Sequence, residues 1–178
     1  GDEEEDKQKL LKKSWTLKKL SKKIKELENK ASKDLEENKL LKELQGINAK
    51  TKIQLRNIPS ELKDNLQFNF ISSFSTTEFS IADEMSLFIL KTTKQHIRKN
   101  SKDKLSNLSI VDATSCIGGN TLSFAKYFMN VDSIEIDKDN FKILEHNIKI
   151  SKKLYNLYEP SLKGRIKYYL GDYEDILP

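Results

Sequence analysis

Three acidic residues, Asp112, Glu135 and Asp172, each lie at or just beyond the end of a short run that predicts a β-strand. After the first of them comes a turn with two adjacent glycines, Gly118 and Gly119, and then a segment with helical periodicity. Such a turn presents unpaired backbone N–H groups and the positive end of a helix dipole, which can hold a polar or anionic ligand. These residue types predict a crevice lined by carboxylates and backbone amides.

The elements that must position these residues alternate along the chain. Predicted strands end near residues 112, 136 and 172, and predicted helices run over 120–128 and onward from 137 or 139. This alternation is typical of a parallel α/β sheet, in which right-handed crossovers bring the carboxyl ends of the strands to one edge. Ligands of open α/β sheets bind at that edge.

The chemistry of the turn distinguishes between cofactors. A dinucleotide site requires Gly-x-Gly-x-x-Gly, whereas Cys116 stands at the first of these positions and no third glycine follows. The lysine of a phosphate-binding P-loop is also missing. Asp112 would repel a pyrophosphate but would attract an ammonium group. The charge therefore favours a ligand with an ammonium group over a nucleotide phosphate.

The residues Asp112-Ala113 and Gly118-Gly119-Asn120-Thr121 resemble the first motif of class I S-adenosylmethionine-dependent methyltransferases. They are most similar to that of the RNA cap guanine-N2 methyltransferases, of the trimethylguanosine synthase type. The resemblance covers about residues 80–172. It implies a Rossmann-like methyltransferase sheet, of which this chain holds the N-terminal part with about three strands. It also implies S-adenosylmethionine as cofactor and RNA as substrate, with cap guanine N2 as a candidate acceptor.

The resemblance further implies a role for each site residue. The loop would hold the amino-acid moiety of the cofactor through Asp112, Ala113, Gly118 and Asn120, with Gly119 and Thr121 in the same motif. Glu135 would accept hydrogen bonds from both ribose hydroxyls. The adenine amino group would contact Asp172, with Tyr173 or Ile136 against the ring.

The chain departs from the family pattern in two ways. Cys116 must either avoid a positive φ or bear backbone strain. The catalytic motif, Asp or Asn followed by Pro-Pro and an aromatic residue, does not occur in the sequence. Two hypotheses follow: the chain is the N-terminal part of a larger RNA methyltransferase, or it is a non-catalytic scaffold whose helical arm binds a protein partner. Both predict that a further segment or a partner covers an exposed sheet edge.

Composition sets broader limits. The 178 residues carry a net charge of +5, with 33% charged and 37% hydrophobic residues. The excess of lysine fits either a solvated surface or a nucleic-acid partner. A single cysteine and two histidines predict neither a disulfide nor a metal site. No run approaches the ~20 apolar residues of a membrane span. We therefore expect an intracellular protein, cytoplasmic or nuclear, without membrane contact.

The chain divides into three predicted regions. Residues 1–46 form a charged helical arm of one or two helices ended by Gly46, residues 47–79 a linker with a short helix, and residues 80–178 the cofactor domain. Within the arm, Trp15 could contact RNA, but burial against a partner helix or the domain is the favoured interpretation.

Aromatic and apolar residues before the first strand allow further expectations. Phe68, Phe70 and Phe74 could stack on bases, although a place in the core is favoured. A helix capped by Ser80 is expected to bury one apolar face, made of Ile81, Met85, Phe88 and Ile89.

Overall fold

The structure is a computed structural model that describes residues 1–56, 58–71, 79–99, 109–113, 115–154 and 165–176. Phe74 lies outside the described residues. The N-terminal helices are α1 (Asp2–Lys12), α2 (Leu17–Glu28), α3 (Leu35–Gln54) and α4 (Ser60–Asn65). There follow α5 (Phe79–Lys99), β1 (Ser109–Asp112), α6 (Gly119–Tyr127), β2 (Asn130–Glu135), α7 (Lys138–Lys153), β3 (Arg165–Leu170) and α8 (Tyr173–Ile176).

The strands form one parallel sheet in the order β1-β2-β3. Asp112 pairs with Ser133, and Glu135 pairs with Leu170, so all three strands end at the same edge. The predicted Rossmann-like α/β architecture with a helical N-terminal region is confirmed. Within the described residues, β1 and β3 are each paired on one side only.

The two faces of the sheet differ in exposure. Helices α6 and α7 connect successive strands and pack on the face that contains buried Val131 and Ile166. On the opposite face Ile134 is fully buried, whereas Val111 is 38% exposed and Tyr169 is 39% exposed. An apolar sheet surface of this kind is typical of a contact surface rather than of a solvated one.

The N-terminal region differs from the predicted arm in its helix boundaries. It contains α1, α2 and α3, and α3 continues through Gly46 to Gln54, so the expected helix end at Gly46 is wrong. A glycine inside a helix costs only about 1 kcal/mol. Leu44, Ile47 and Thr51 are buried on either side of Gly46, and this burial outweighs that cost.

The aromatic residues of the N-terminal region are core residues, as favoured. Trp15 is 4% exposed and stacks on Phe70, with ring centroids 5.2 Å apart. Its backbone also exchanges hydrogen bonds of 2.7 and 2.9 Å with Phe68. Because these rings are buried, they present no stacking surface to a nucleic-acid base.

Helix α5 packs on α6 through an unexpected face. The helix already includes Phe79, so Ser80 is not its N-cap. Of the four predicted inner residues, Ile81, Met85 and Phe88 are 47%, 48% and 72% exposed, so the expected inner face is wrong for these three. The fourth, Ile89, is partly buried against the core, as expected. The buried positions are small, Ala82 and Ser86. Apolar periodicity failed here because the small residues allow close approach to α6.

No helix in the described part of the chain is both long enough and apolar enough to span a bilayer.

Candidate cofactor site

The glycine turn connects β1 to α6 through a tight backbone reversal. The N–H of Gly118 donates to the carbonyl of Ser115 at 2.9 Å, and Cys116 between them has a φ of 51°. Gly118 has a φ of 102°, and α6 begins at the next residue, Gly119. The glycine pair therefore lies at the start of a helix and not within one.

Of the two alternatives expected for Cys116, the structure shows the second, a positive φ with backbone strain. A non-glycine residue in the left-handed region costs about 1–2 kcal/mol. Contacts that hold it there include the hydrogen bond from its N–H to Glu135 Oε1 at 2.7 Å and the approach of Asn140 Nδ2 to 3.9 Å from its sulfur. The β2 carboxylate thus fixes the shape of the β1–α6 turn.

Substitutions at Cys116 are expected to rank by their tolerance of a positive φ. The free energy of unfolding should be highest with Cys116→Gly and lowest with Cys116→Val, because a β-branched side chain is the least compatible with this conformation. The expected difference between the two variants is about 1–2 kcal/mol by urea titration. A valine variant as stable as the glycine variant would contradict the strained geometry.

Glu135 lies at the tip of β2 and is 6% exposed. Besides the bond from Cys116, its Oε2 accepts from the N–H of Asp137 at 2.8 Å. Each carboxylate oxygen has a second lone pair. Glu135 can therefore keep both backbone bonds and still accept from the hydroxyls of a ligand.

Asp112 at the tip of β1 belongs to a buried polar network. Its Oδ2 accepts from Thr121 Oγ1 at 2.7 Å, and Thr121 also bonds to Ser133 on β2. Ser115 Oγ donates to the Asp112 carbonyl at 2.9 Å. Thr121 is fully buried, so in this structure its hydroxyl orients Asp112 and does not line an open surface.

Asp172 follows β3 and faces the same edge of the sheet. The N–H of Gly171 donates to the Glu135 carbonyl at 2.9 Å, which ties the two strand ends together. Asp172 Oδ1 accepts from the N–H of Glu174 at 2.9 Å and so begins the short helix α8. Near these strand ends, Ile136 is 66% exposed and Tyr173 is 43% exposed, which leaves apolar surface available to an aromatic ring.

All predicted site residues in the turn and at the strand ends lie along this edge. Ala113 and Asn120 are half-buried, and Gly119 is the buried first residue of α6. No side-chain oxygen of the described residues caps the N-terminus of α6. The edge therefore combines acidic groups with the amides of an uncapped helix, which suits a ligand carrying both an ammonium and a carboxylate group.

Asn147 on α7 is a supporting residue that the sequence analysis missed. Its side chain exchanges hydrogen bonds of 2.8 and 3.0 Å with the backbone of Gln67 and donates to the Ile117 carbonyl at 2.8 Å. It thereby joins the N-terminal helices to the glycine turn. The sequence feature that could have identified it is the position of an asparagine within the apolar helix face that contains Leu144 and Ile148.

A buried ion pair also escaped prediction. Lys126 on α6 is 3% exposed and bonds to Asp83 on α5, which also accepts from Ser123 Oγ at 2.6 Å. Burial lowers the pKa of Lys126 below its ordinary value of 10.5, and the nearby Asp83 opposes this shift. Burial, with the Asp83 charge, also raises the pKa of Tyr127. The pair fixes α5 against the helix that follows the glycine turn.

Comparison with known proteins agrees with this geometry. Residues 107–177 match the model of the RNA cap guanine-N2 methyltransferase family. The match covers less than half of the chain, so this segment is similar to that family. The matched segment contains the glycine turn, the three strands of the described residues and every predicted cofactor-site residue.

A curated relative extends the comparison to a virus. The chain is 40% identical over 52 residues to "Uncharacterized protein L320" of Acanthamoeba polyphaga mimivirus. This alignment covers 29% of the chain and 20% of the relative, so the match spans about a fifth of that protein's length. No solved structure matches the chain.

Proposed function

We propose that this chain binds S-adenosylmethionine and supplies the cofactor side of a methyltransferase that acts on RNA, with N2 of a cap guanine as the acceptor. The observation that carries the proposal is the position of Glu135. Its carboxylate lies at the tip of the middle strand and is bonded to the glycine turn, inside the segment that matches the family. That placement suits the ribose hydroxyls of a nucleoside cofactor.

The remaining contacts would follow from the surrounding groups. The uncapped N-terminus of α6, at Gly119 and Asn120, would hold the cofactor's carboxylate through backbone N–H groups, while Asp112 would attract its ammonium group. Asp172 would accept from the adenine amino group. The exposed side chains of Ile136 and Tyr173 would lie against the adenine ring.

Bound S-adenosylmethionine would supply a methyl group already activated by the sulfonium. The residues of this chain would orient that cofactor and exclude water from it. The Asp/Asn-Pro-Pro-aromatic motif, which would hold the acceptor amine, does not occur in the sequence. The acceptor side would therefore come from a further segment or a partner chain. Exposed Val111 on β1 and Phe88 on α5 offer apolar surface for such a partner.

Calorimetric titration tests the proposal directly. S-adenosylmethionine and S-adenosylhomocysteine are expected to bind with micromolar affinity, and Asp112→Ala or Glu135→Ala should weaken binding by about tenfold or more, because each removes a charged acceptor. The milder Glu135→Gln keeps an oxygen for the Cys116 N–H, and it separates ligand contact from support of the turn. Asp132→Asn, on the same strand but away from the edge, is the matched control and should bind as the unsubstituted chain does.

The titration also decides between the two hypotheses. No binding at millimolar ligand by a folded chain would exclude the cofactor function and leave the non-catalytic scaffold. The scaffold hypothesis requires the helical arm to bind a protein partner. In the structure, Leu17, Leu20, Ile24 and Leu27 of α2 are buried in the chain's own core, and this favours the enzyme lineage.

A further inference from the structure

A basic groove lies in the N-terminal helical region, on elements outside the segment that matches the family. It is open to solvent and has a volume of about 570 Å³. Its lining includes Lys18 and Ser21 from α2, Lys52 from α3, Arg56 just after α3, and Lys63 and Asp64 from α4. Four cationic side chains and one carboxylate thus line a single concavity.

The cations converge from three separate parts of the chain. Burial of apolar residues, Leu17, Leu55 and Leu62 among them, holds these helices together, so the rim lysines are not needed for packing. Among the described residues, Lys18, Lys52 and Lys63 make no ion pair. Positive charges gathered in a concave surface repel one another and attract anions.

The basic character of the groove extends along α2. Lys22 and Lys25 follow Lys18 at spacings of four and seven residues and therefore share its helix face. Both are exposed. A cationic row that leads into a cationic groove suits an extended polyanion better than a single small anion.

We propose that this groove binds the phosphate backbone of single-stranded RNA. RNA is favoured over an acidic protein because the lining holds one buried apolar residue, Leu17, and no exposed aromatic anchor. Trp15 and Phe70 are buried against each other, so bases find no stacking platform here. The contact is therefore to phosphates and independent of base sequence. The site deepens the proposed function, on which it rests, by giving the RNA substrate a contact away from the cofactor.

Fluorescence anisotropy with a labelled, uncapped single-stranded RNA tests the groove. The triple variant Lys18→Gln/Lys52→Gln/Lys63→Gln is expected to lower affinity by at least about tenfold. It should also reduce the slope of log affinity against log salt by about 2, since each phosphate contact to a single strand contributes about 0.7. The matched control Lys39→Gln/Lys142→Gln/Lys149→Gln removes the same charge from exposed positions outside the groove and should retain most of the affinity.

Two results of the anisotropy experiment would overturn the proposal. Equal losses in the two triple variants would show attraction by net charge alone. Displacement of the RNA by polyglutamate at equal charge would show a site for acidic polypeptides. Calorimetry with S-adenosylmethionine separates this proposal from the cofactor function. RNA binding without cofactor binding would support the RNA-binding groove and contradict the cofactor function. Cofactor binding without RNA binding would contradict only the RNA-binding groove.

Discussion

Replacing Gly118 by alanine is expected to lower the free energy of unfolding by about 2–4 kcal/mol and to abolish cofactor binding. Two costs add. The φ of 102° is a conformation that an L side chain adopts only with strain. An added Cβ would also lie 3.1 Å from Leu144 Cδ1, a fully buried side chain with little room to move. Urea unfolding and calorimetry with S-adenosylmethionine measure the two effects.

Gly46→Ala is the matched control, and we expect it to change the free energy of unfolding in the opposite direction. Gly46 lies inside α3 and an added Cβ would meet no atom within 4 Å. Alanine there should raise the free energy of unfolding by about 1 kcal/mol, through helix propensity alone. Adding Leu144→Val to Gly118→Ala should recover the steric part of the loss but not the part due to φ. An alanine at position 118 as harmless as one at position 46 would contradict the geometry of the turn.

Asp83→Asn is expected to lower the free energy of unfolding by about 3 kcal/mol, because it neutralises the carboxylate that pairs with the buried ammonium of Lys126. The double variant Asp83→Asn/Lys126→Met should regain most of the loss, since an apolar chain of similar length can fill the buried space. Glu145→Gln breaks the exposed pair with Lys149, 3.5 Å apart, and should cost less than about 1 kcal/mol. A double variant as unstable as Asp83→Asn would show that the charge is not the cause.

The same lysine gives a pH dependence with a definite sign. Burial lowers the pKa of Lys126 in the folded state below 10.5, so the unfolded chain binds more protons in the alkaline range beneath that value. Stability contributed at this site therefore rises as pH increases toward 10.5. Between about pH 7 and about pH 10, the unfolding free energy of the unsubstituted chain should therefore rise relative to that of the Lys126→Met variant. The remaining lysines cancel in this difference.

The sequence predicted those parts of the fold in which an apolar run leads directly into a candidate site residue. The three strands, the glycine turn and the acidic tips could be located because apolar runs end in Asp112, Glu135 and Asp172. The place of Cys116 in the turn left two alternatives, and its φ of 51° shows that it is the strained one. These features depend on short stretches of neighbouring residues, which a single sequence displays directly.

The errors arose where contacts between distant residues decide the outcome. Burial of Leu44 and Ile47 stabilises α3 through Gly46, although glycine has a low helix propensity. On α5, packing selected Ala82 and Ser86 over the larger apolar residues. Neither choice can be inferred from periodicity, because the partner surface is formed by residues far away in the chain.

The position of Trp15 determines what its emission can report. It is the only tryptophan, and its indole Nε1 is buried without a hydrogen-bond partner among the described residues. Its fluorescence therefore follows the integrity of the N-terminal helices. Tyrosines lie closer to the cofactor edge, Tyr168 and Tyr173 among them, so a spectroscopist could follow the two regions of one chain at separate wavelengths without attaching a dye.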